Sequence, residues 1–263
     1  MVIDAHIHLD QYPTEQIADQ IKRWKEGGIN GVVAVSTDLH SCYHTLSLAE
    51  RFPDFVYPCL GWHPEQRLPT DKELNELIQL IRTEKHRING VGEIGLPHYS
   101  LKQLGNPPLE PYIELFTILT CEAKAQELPV AVHAVHNKAP LALAVLKEEK
   151  MTKAHFHWLK AEAEVLKEII HEGYFISVTP EVCYRERDKR LVQSTPMGQL
   201  LLETDGPWPF SGPFSGKSTT PLFLFDSLEK VAAIKGKSIV EAKFQLRQNI
   251  EKLYLSYRGG SIN

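Results

Sequence analysis

The chain has 263 residues, of which 43% are hydrophobic and 24% charged, a balance that supplies a large core and excludes an intrinsically disordered chain. No stretch reaches the roughly 18 apolar residues of a membrane span, and no basic segment followed by an apolar one opens the chain, so a cytoplasmic protein without a membrane partner is expected. The formal net charge of −4 gives no basic stripe for sequence-independent nucleic-acid binding, although bound divalent ions could still meet a phosphate.

In chain order, residues 2–8 read as a first strand, and Ile17, Ile21 and Trp24 then fall at i, i+4 and i+7, the spacing of a buried helix face. Strands follow at 31–36 and 55–60. Thr70-x-x-Glu73 is a capping box, in which hydroxyl and carboxylate satisfy free backbone N–H groups, and it opens a helix carrying Leu74, Leu77, Ile78 and Ile81 inward. Strands at 91–94, 130–133, 154–157, 174–178 and 200–203 alternate with helices at about 109–127, 139–149 and 160–172. Arg185, Arg187, Lys189 and Arg190 are interleaved with Glu186 and Asp188, as on a solvated helix face. Ser238-x-x-Glu241 is a second capping box and starts a last helix at about 239–257.

Eight strands alternating with helices predict an α/β chain folded as a single TIM-type (β/α)8 barrel over residues 1–263, with some distortion of the ideal ring allowed for. Residues 206–220, rich in Gly, Pro, Ser and Phe, read as a long loop after the eighth strand, because a boundary there would leave the last helix alone. Cys42, Cys59, Cys121 and Cys183 are scattered without metal-knuckle spacing and read as free thiols.

His6 and His8 close the first strand two residues apart, so both imidazoles point the same way, with Asp4 placed to orient a ligand. Glu93 ends the fourth strand between Gly92 and Gly95, His133 the fifth, His155 and His157 the sixth, and Asp205 the eighth. Parallel barrel strands converge at one mouth, which makes these remote residues neighbours. His6, His8, Glu93, His133, His157 and Asp205 exceed the three protein ligands of a lone catalytic ion, which points to two divalent ions, magnesium, manganese or zinc. Glu93 is the expected bridge, and Asp205 would bind one ion and hold or deprotonate the attacking water.

His63, in Gly61-Trp62-His63-Pro64, follows the third strand and is expected to act on the substrate, with Trp62 and Trp208 expected to contact it; Trp62, Trp158 and Trp208 would either stack on bases or wall off a compact site. His155 shares a face with His157, and only one of the two need be a ligand. His98, His136 and Arg185 fall on loops over the same mouth.

These motifs together resemble the TatD family of metal-dependent deoxyribonucleases, within the amidohydrolase-like barrels: Asp4 to Asp10, Gly61 to Pro64, Gly92 to Leu96, Leu128 to His133, His157, Leu201 to Asp205, and Arg247 to Leu253. The resemblance implies release of nucleotides from DNA ends, with His6, His8 and Asp205 on one ion, His133 and His157 on the other, Glu93 between them and His63 near the scissile phosphate. The chain departs from the family beside these positions, at Pro97-His98, at Ala134 to Asn137, at Trp158 to Ala161 and at Gly206-Pro207-Trp208. As a divergent member it could instead be a small-molecule hydrolase acting on an amide, lactone or phosphate ester with the same two ions. A scaffold without turnover is the weakest reading, because it would have no reason to keep six buried polar groups at one place. No obligate protein partner is expected.

Overall fold

The computed structural model describes residues 1–256. Its eight strands are β1 (Ile3–Ile7), β2 (Gly31–Val35), β3 (Val56–Leu60), β4 (Gly90–Gly95), β5 (Val130–His133), β6 (Ala154–Phe156), β7 (Phe175–Val178) and β8 (Leu200–Leu202). Each pairs in parallel with the next in chain order. The ring closes just beyond β8: Asp205 N donates to His6 O at 2.9 Å and His8 N to Gly206 O at 2.8 Å. This is the (β/α)8 barrel expected from the alternation.

Nine helices accompany the strands among the described residues: α1 (Ile17–Glu26), α2 (Leu39–Arg51), α3 (Asp71–Glu84), α4 (Glu110–Ala125), α5 (Ala139–Glu148), α6 (Ala163–His171), α7 (Glu186–Ser194), α8 (Leu224–Ile234) and α9 (Ile239–Ile250). Both capping boxes form, Thr70 with Glu73 on α3 and Ser238 with Glu241 on α9. After α9 the chain continues as a π-helical turn over Glu251–Leu255, and residue 257 of the expected last helix lies outside the described residues.

Two helices escape a reading by periodicity. In α2, Ser, Thr and His residues interrupt the apolar stripe, and the helix is instead started by the Asp38 carboxylate, which accepts from Ser41 N at 2.8 Å. α8 buries Leu224, Leu228, Val231 and Ala232 at helical spacing, so α9 is not alone after the loop, as had been expected.

The core is layered. Val32, Ala34, Val91, Val130 and Val132 belong to the large cluster between strands and helices. Ile3, Ala5, Val33, Val35, Cys59, Ala131, Phe175 and Leu201 form a second cluster closed by Leu253 and Tyr254. An irregularity in the β1–β2 register between Asp4 and Ile7 moves Ile7 into the strand–helix cluster. His6 and His8 are thereby left to the mouth.

Candidate metal centre

Glu93 is fully buried at the end of β4, and its two oxygens face different partners. Oε2 lies 3.1 Å from His6 Nε2 and 3.2 Å from His8 Nε2; the same two nitrogens lie 3.5 and 3.4 Å from Asp205 Oδ1. Oε1 lies 2.7 Å from His133 Nδ1, 2.7 Å from His157 Nε2 and 3.3 Å from His63 Nε2. Donor atoms of His6, His8 and Asp205 form one close group, and His6, Glu93 and His157 another. The His6 and His157 rings stack at 4.0 Å and 8°.

The glycines beside Glu93 make this approach possible. A Cβ on Gly92 would meet Ala131 Cβ at 2.6 Å, and one on Gly95, where φ is +151°, would collide with the His133 carbonyl oxygen. Asp205 and Trp158 hold positive φ without being glycine, at 48° and 38°, a cost tolerated where closely packed surroundings fix the backbone.

Burial pushes the Glu93 and Asp205 carboxyls up, but the surrounding imidazoles outweigh it and hold both below the ordinary carboxylate range, Glu93 well below. For His8 burial acts downward, yet hydrogen bonds to Asp205 and Glu93 lift it to about 10. His133 and His157 are likewise raised against burial by their carboxylate partners, whereas burial prevails at His6 and His63 and lowers both. Two ionised carboxylates facing five imidazoles in a buried space form a donor set that fits divalent cations, which would take the place of the shared protons. Asp205 Oδ1 stands 3.4 Å from His8 Nε2 and 3.5 Å from His6 Nε2, longer than an ordinary hydrogen bond, a further sign that the set is shaped for a cation.

Several expectations are revised by the fold. Trp62 does not line the cavity: it is 3% exposed and its indole N–H donates to Arg67 O at 2.9 Å, so it packs beneath the mouth rather than on a substrate. Asp4 orients backbone rather than a ligand ring, its Oδ1 accepting from His6 N at 3.2 Å and Thr204 N at 2.9 Å; burial raises it to about 8. His155 turns away from the donor set. Ser177 Oγ donates to Glu203 at 2.6 Å and so accepts from His155 Nε2 at 2.7 Å, leaving Nδ1 to accept from Tyr254 Oη at 2.9 Å. Arg185 and Arg187 are not simply solvated, because the start of α7 carries both to the cavity wall.

Sequence reasoning passed over Glu65. It follows His63 by two residues and reads as an ordinary loop acid. In the fold its Oε1 accepts from His133 Nε2 at 3.0 Å and from His98 N and Tyr99 N at 2.7 and 2.9 Å; Oε2 accepts from Ser100 N and Oγ, both at 2.7 Å. His63, Trp208, His136 and Lys160 also line the cavity, which has a volume of about 800 Å³.

A parallel barrel with a buried imidazole–carboxylate cluster at the C-terminal ends of its strands defines a metal-dependent hydrolase. Residues 3–255 match the family described as TatD related DNase, and the chain belongs to that family. It is 34% identical over 254 residues to an uncharacterized metal-dependent hydrolase of Haemophilus influenzae, covering 97% of this chain and 99% of that one. It is 29% identical over 266 residues to human deoxyribonuclease TATDN3, covering 98% and 96%. In fold it is similar to the crystal structure of YJJV, a TatD homolog from Escherichia coli K12, with a TM-score of 0.87 at 24% identity over 97% of this chain and 98% of that one. No helix among the described residues is long and apolar enough to cross a membrane.

Proposed function

We propose that the chain is a phosphodiesterase that uses two divalent ions, magnesium, manganese or zinc, to cleave DNA. The observation that carries this reading is the division of Glu93, one oxygen facing His6 and His8 beside Asp205, the other facing His133 and His157. His6, His8 and Asp205 would hold one ion, His133 and His157 the other, with Glu93 shared. A divalent pair supplies positive charge that acidifies water and stabilises oxygen charge developing on a phosphoester.

The chain's own groups account for the proton and the substrate. Asp205, kept ionised by its imidazoles, orients the attacking water and accepts its proton at a carboxylate oxygen. His63, at the cavity edge with Nδ1 accepting from Glu65 N at 3.2 Å, presents Nε2 as a hydrogen-bond donor to a phosphate oxygen. Trp208, 57% exposed on the same cavity, offers a stacking face for a base. The human relative named as a deoxyribonuclease supports DNA as the substrate.

A second reading, a hydrolase of small amides, lactones or phosphate esters, is favoured by one observation. The cavity volume of about 800 Å³ lies within the range of small-ligand pockets, roughly 300–1,000 Å³, and suits a strand end better than a duplex. Hydrolysis of end-labelled single-stranded DNA separates the two, with each ion added back to chelator-treated protein and Glu93→Ala as the blank. Metal-dependent shortening absent from the variant supports the nuclease. Intact DNA under every ion passes the lead to the small-molecule hydrolase.

A further inference from the structure

One wall of the cavity carries a cation that the donor cluster does not use. Lys160 lies just after β6, partly buried, with Nζ 2.6 Å from Tyr99 Oη and 4.3 Å from the centroid of the Trp158 ring. Its neighbours Arg185 and Arg187 are already answered: Arg185 Nε donates to Glu181 Oε1 at 2.6 Å and Arg187 Nη2 to Glu181 Oε2 at 2.7 Å. Trp158 Nε1 adds a third bond to Glu181 at 3.2 Å, so both oxygens of that carboxylate are engaged. Among the described residues Lys160 makes no ion pair with a carboxylate, although it lines the same cavity as Glu93 and Asp205.

An ammonium has three N–H donors, and the phenol oxygen takes one. The aromatic face beneath it offsets part of the cost of burial without using the remaining donors. Burial lowers the Lys160 pKa, and the nearby Arg187 lowers it further, so an anion arriving here would relieve both effects. Among the described residues Arg187 Nε is buried without a partner, a second donor left unused on this wall. Tyr99 links the wall to the donor cluster, its ring centroid lying 6.2 Å from that of His133. A lysine that merely laid its stem along Trp158 would be expected to turn its head to open water. Here the head is bonded to Tyr99 on the wall of the cavity.

We propose that Lys160 Nζ, with Tyr99 Oη beside it and Arg187 behind, is a second anion subsite that takes a phosphate of the substrate other than the one attacked. The inference rests on the phosphoester reading of the cavity and deepens it, since it requires a substrate with two phosphates. These could be a phosphodiester and a terminal phosphomonoester, or two successive phosphodiesters of a strand. Trp208, edge-on to Trp158 at 6.1 Å, stands where a nucleoside joining them could stack.

The test reads binding rather than cleavage. Tryptophan fluorescence of the full chain, in which Trp158 lies under the ammonium, is followed during titration with thymidine 5′-monophosphate, thymidine 3′,5′-bisphosphate and the trinucleotide dTpdTpdT. The parent is expected to bind a two-phosphate ligand roughly tenfold more tightly than the monophosphate, the scale of one charge-assisted phosphate contact. Lys160→Met should remove that advantage and Lys160→Arg should keep most of it. A loss confined to the bisphosphate assigns the subsite to a terminal phosphate, and a loss confined to the trinucleotide assigns it to an internal one. Equal weakening of all three ligands in Lys160→Met, or no weakening of any, overturns the proposal. Failure of the protein to cleave DNA would count against the nuclease and leave this result readable.

Discussion

His133 Nε2 donates to Glu65 Oε1 at 3.0 Å, which fixes a proton on that nitrogen and turns Nδ1 toward Glu93 Oε1 at 2.7 Å. Glu65 can do this because it stays ionised: burial pushes its carboxyl up, but the His133 hydrogen bond and the amides of the 98–100 segment hold it well below the carboxylate range. One carboxylate therefore sets both a ring tautomer and the course of the loop after β4.

Removing it should loosen the centre without dismantling it. Glu65→Ala is expected to weaken metal binding by about 10–100-fold, the usual effect of losing a group that orients a ligand. Competition with a chromophoric chelator measures this, and unchanged affinity would show that His133 is positioned without Glu65.

Glu93→Ala takes the shared carboxylate from both donor sets. The variant should lose bound metal and turnover together, as read by elemental analysis of the purified chain. Full occupancy of two ions in the variant would refute the bridging role.

His63→Ala is predicted to separate binding from turnover. Its Nε2 is the most distant of the imidazole nitrogens facing Glu93 Oε1, at 3.3 Å, so His133 and His157 can retain an ion without it. Metal content should stay at the parent level while kcat falls by about 100-fold or more, the scale of a lost general acid or donor. A parent-like rate would remove His63 from the chemistry.

Metal binding should release protons, with a sign set by the raised imidazoles. His8 is lifted to about 10, so in the ion-free chain it carries a proton at neutral pH that an ion must displace, and His133 and His157 are shifted in the same direction by their carboxylate partners. Affinity is therefore expected to rise with pH from the neutral range toward about 10. Calorimetry in two buffers of different ionisation enthalpy should find at least one proton released per chain at pH 7, and a buffer-independent heat would contradict it. For ion-free stability the raised His8 acts in the opposite direction. Its contribution is complete below the ordinary value of 6.5 and is lost as pH rises through about 10.

Asp4 should behave as a neutral acid at pH 7, because burial raises it to about 8. Asp4→Asn keeps an acceptor for Thr204 N and is predicted to melt close to the parent. Asp4→Ala leaves that buried N–H unpaired and should cost about 1–3 kcal/mol in chemical denaturation. Equal stability of the two variants would dismiss the Asp4–Thr204 bond as a tie between β1 and the chain after β8.

The barrel and the six clustered residues were legible because their signals are local. A strand repeats every two residues and a helix every 3.6, so eight apolar runs, two capping boxes and a polar residue at the end of each of five strands could be read in order along the chain. The hidden helices show the limit: α2 depends on a cap and on packing more than on a clean stripe, and the stripe of α8 was masked by the loop that precedes it. The sequence by itself determined the ring of parallel strands and the kinds of side chain at its mouth. Only the tertiary structure decided that Trp62 points inward, that Glu65 grips His133 across 68 residues, that Glu93 divides its oxygens, and that Lys160 lines the cavity with its head bonded to Tyr99. Such pairings depend on where the ring closes and how its loops fold back over the mouth. No periodicity encodes a distance between residues so far apart along the chain.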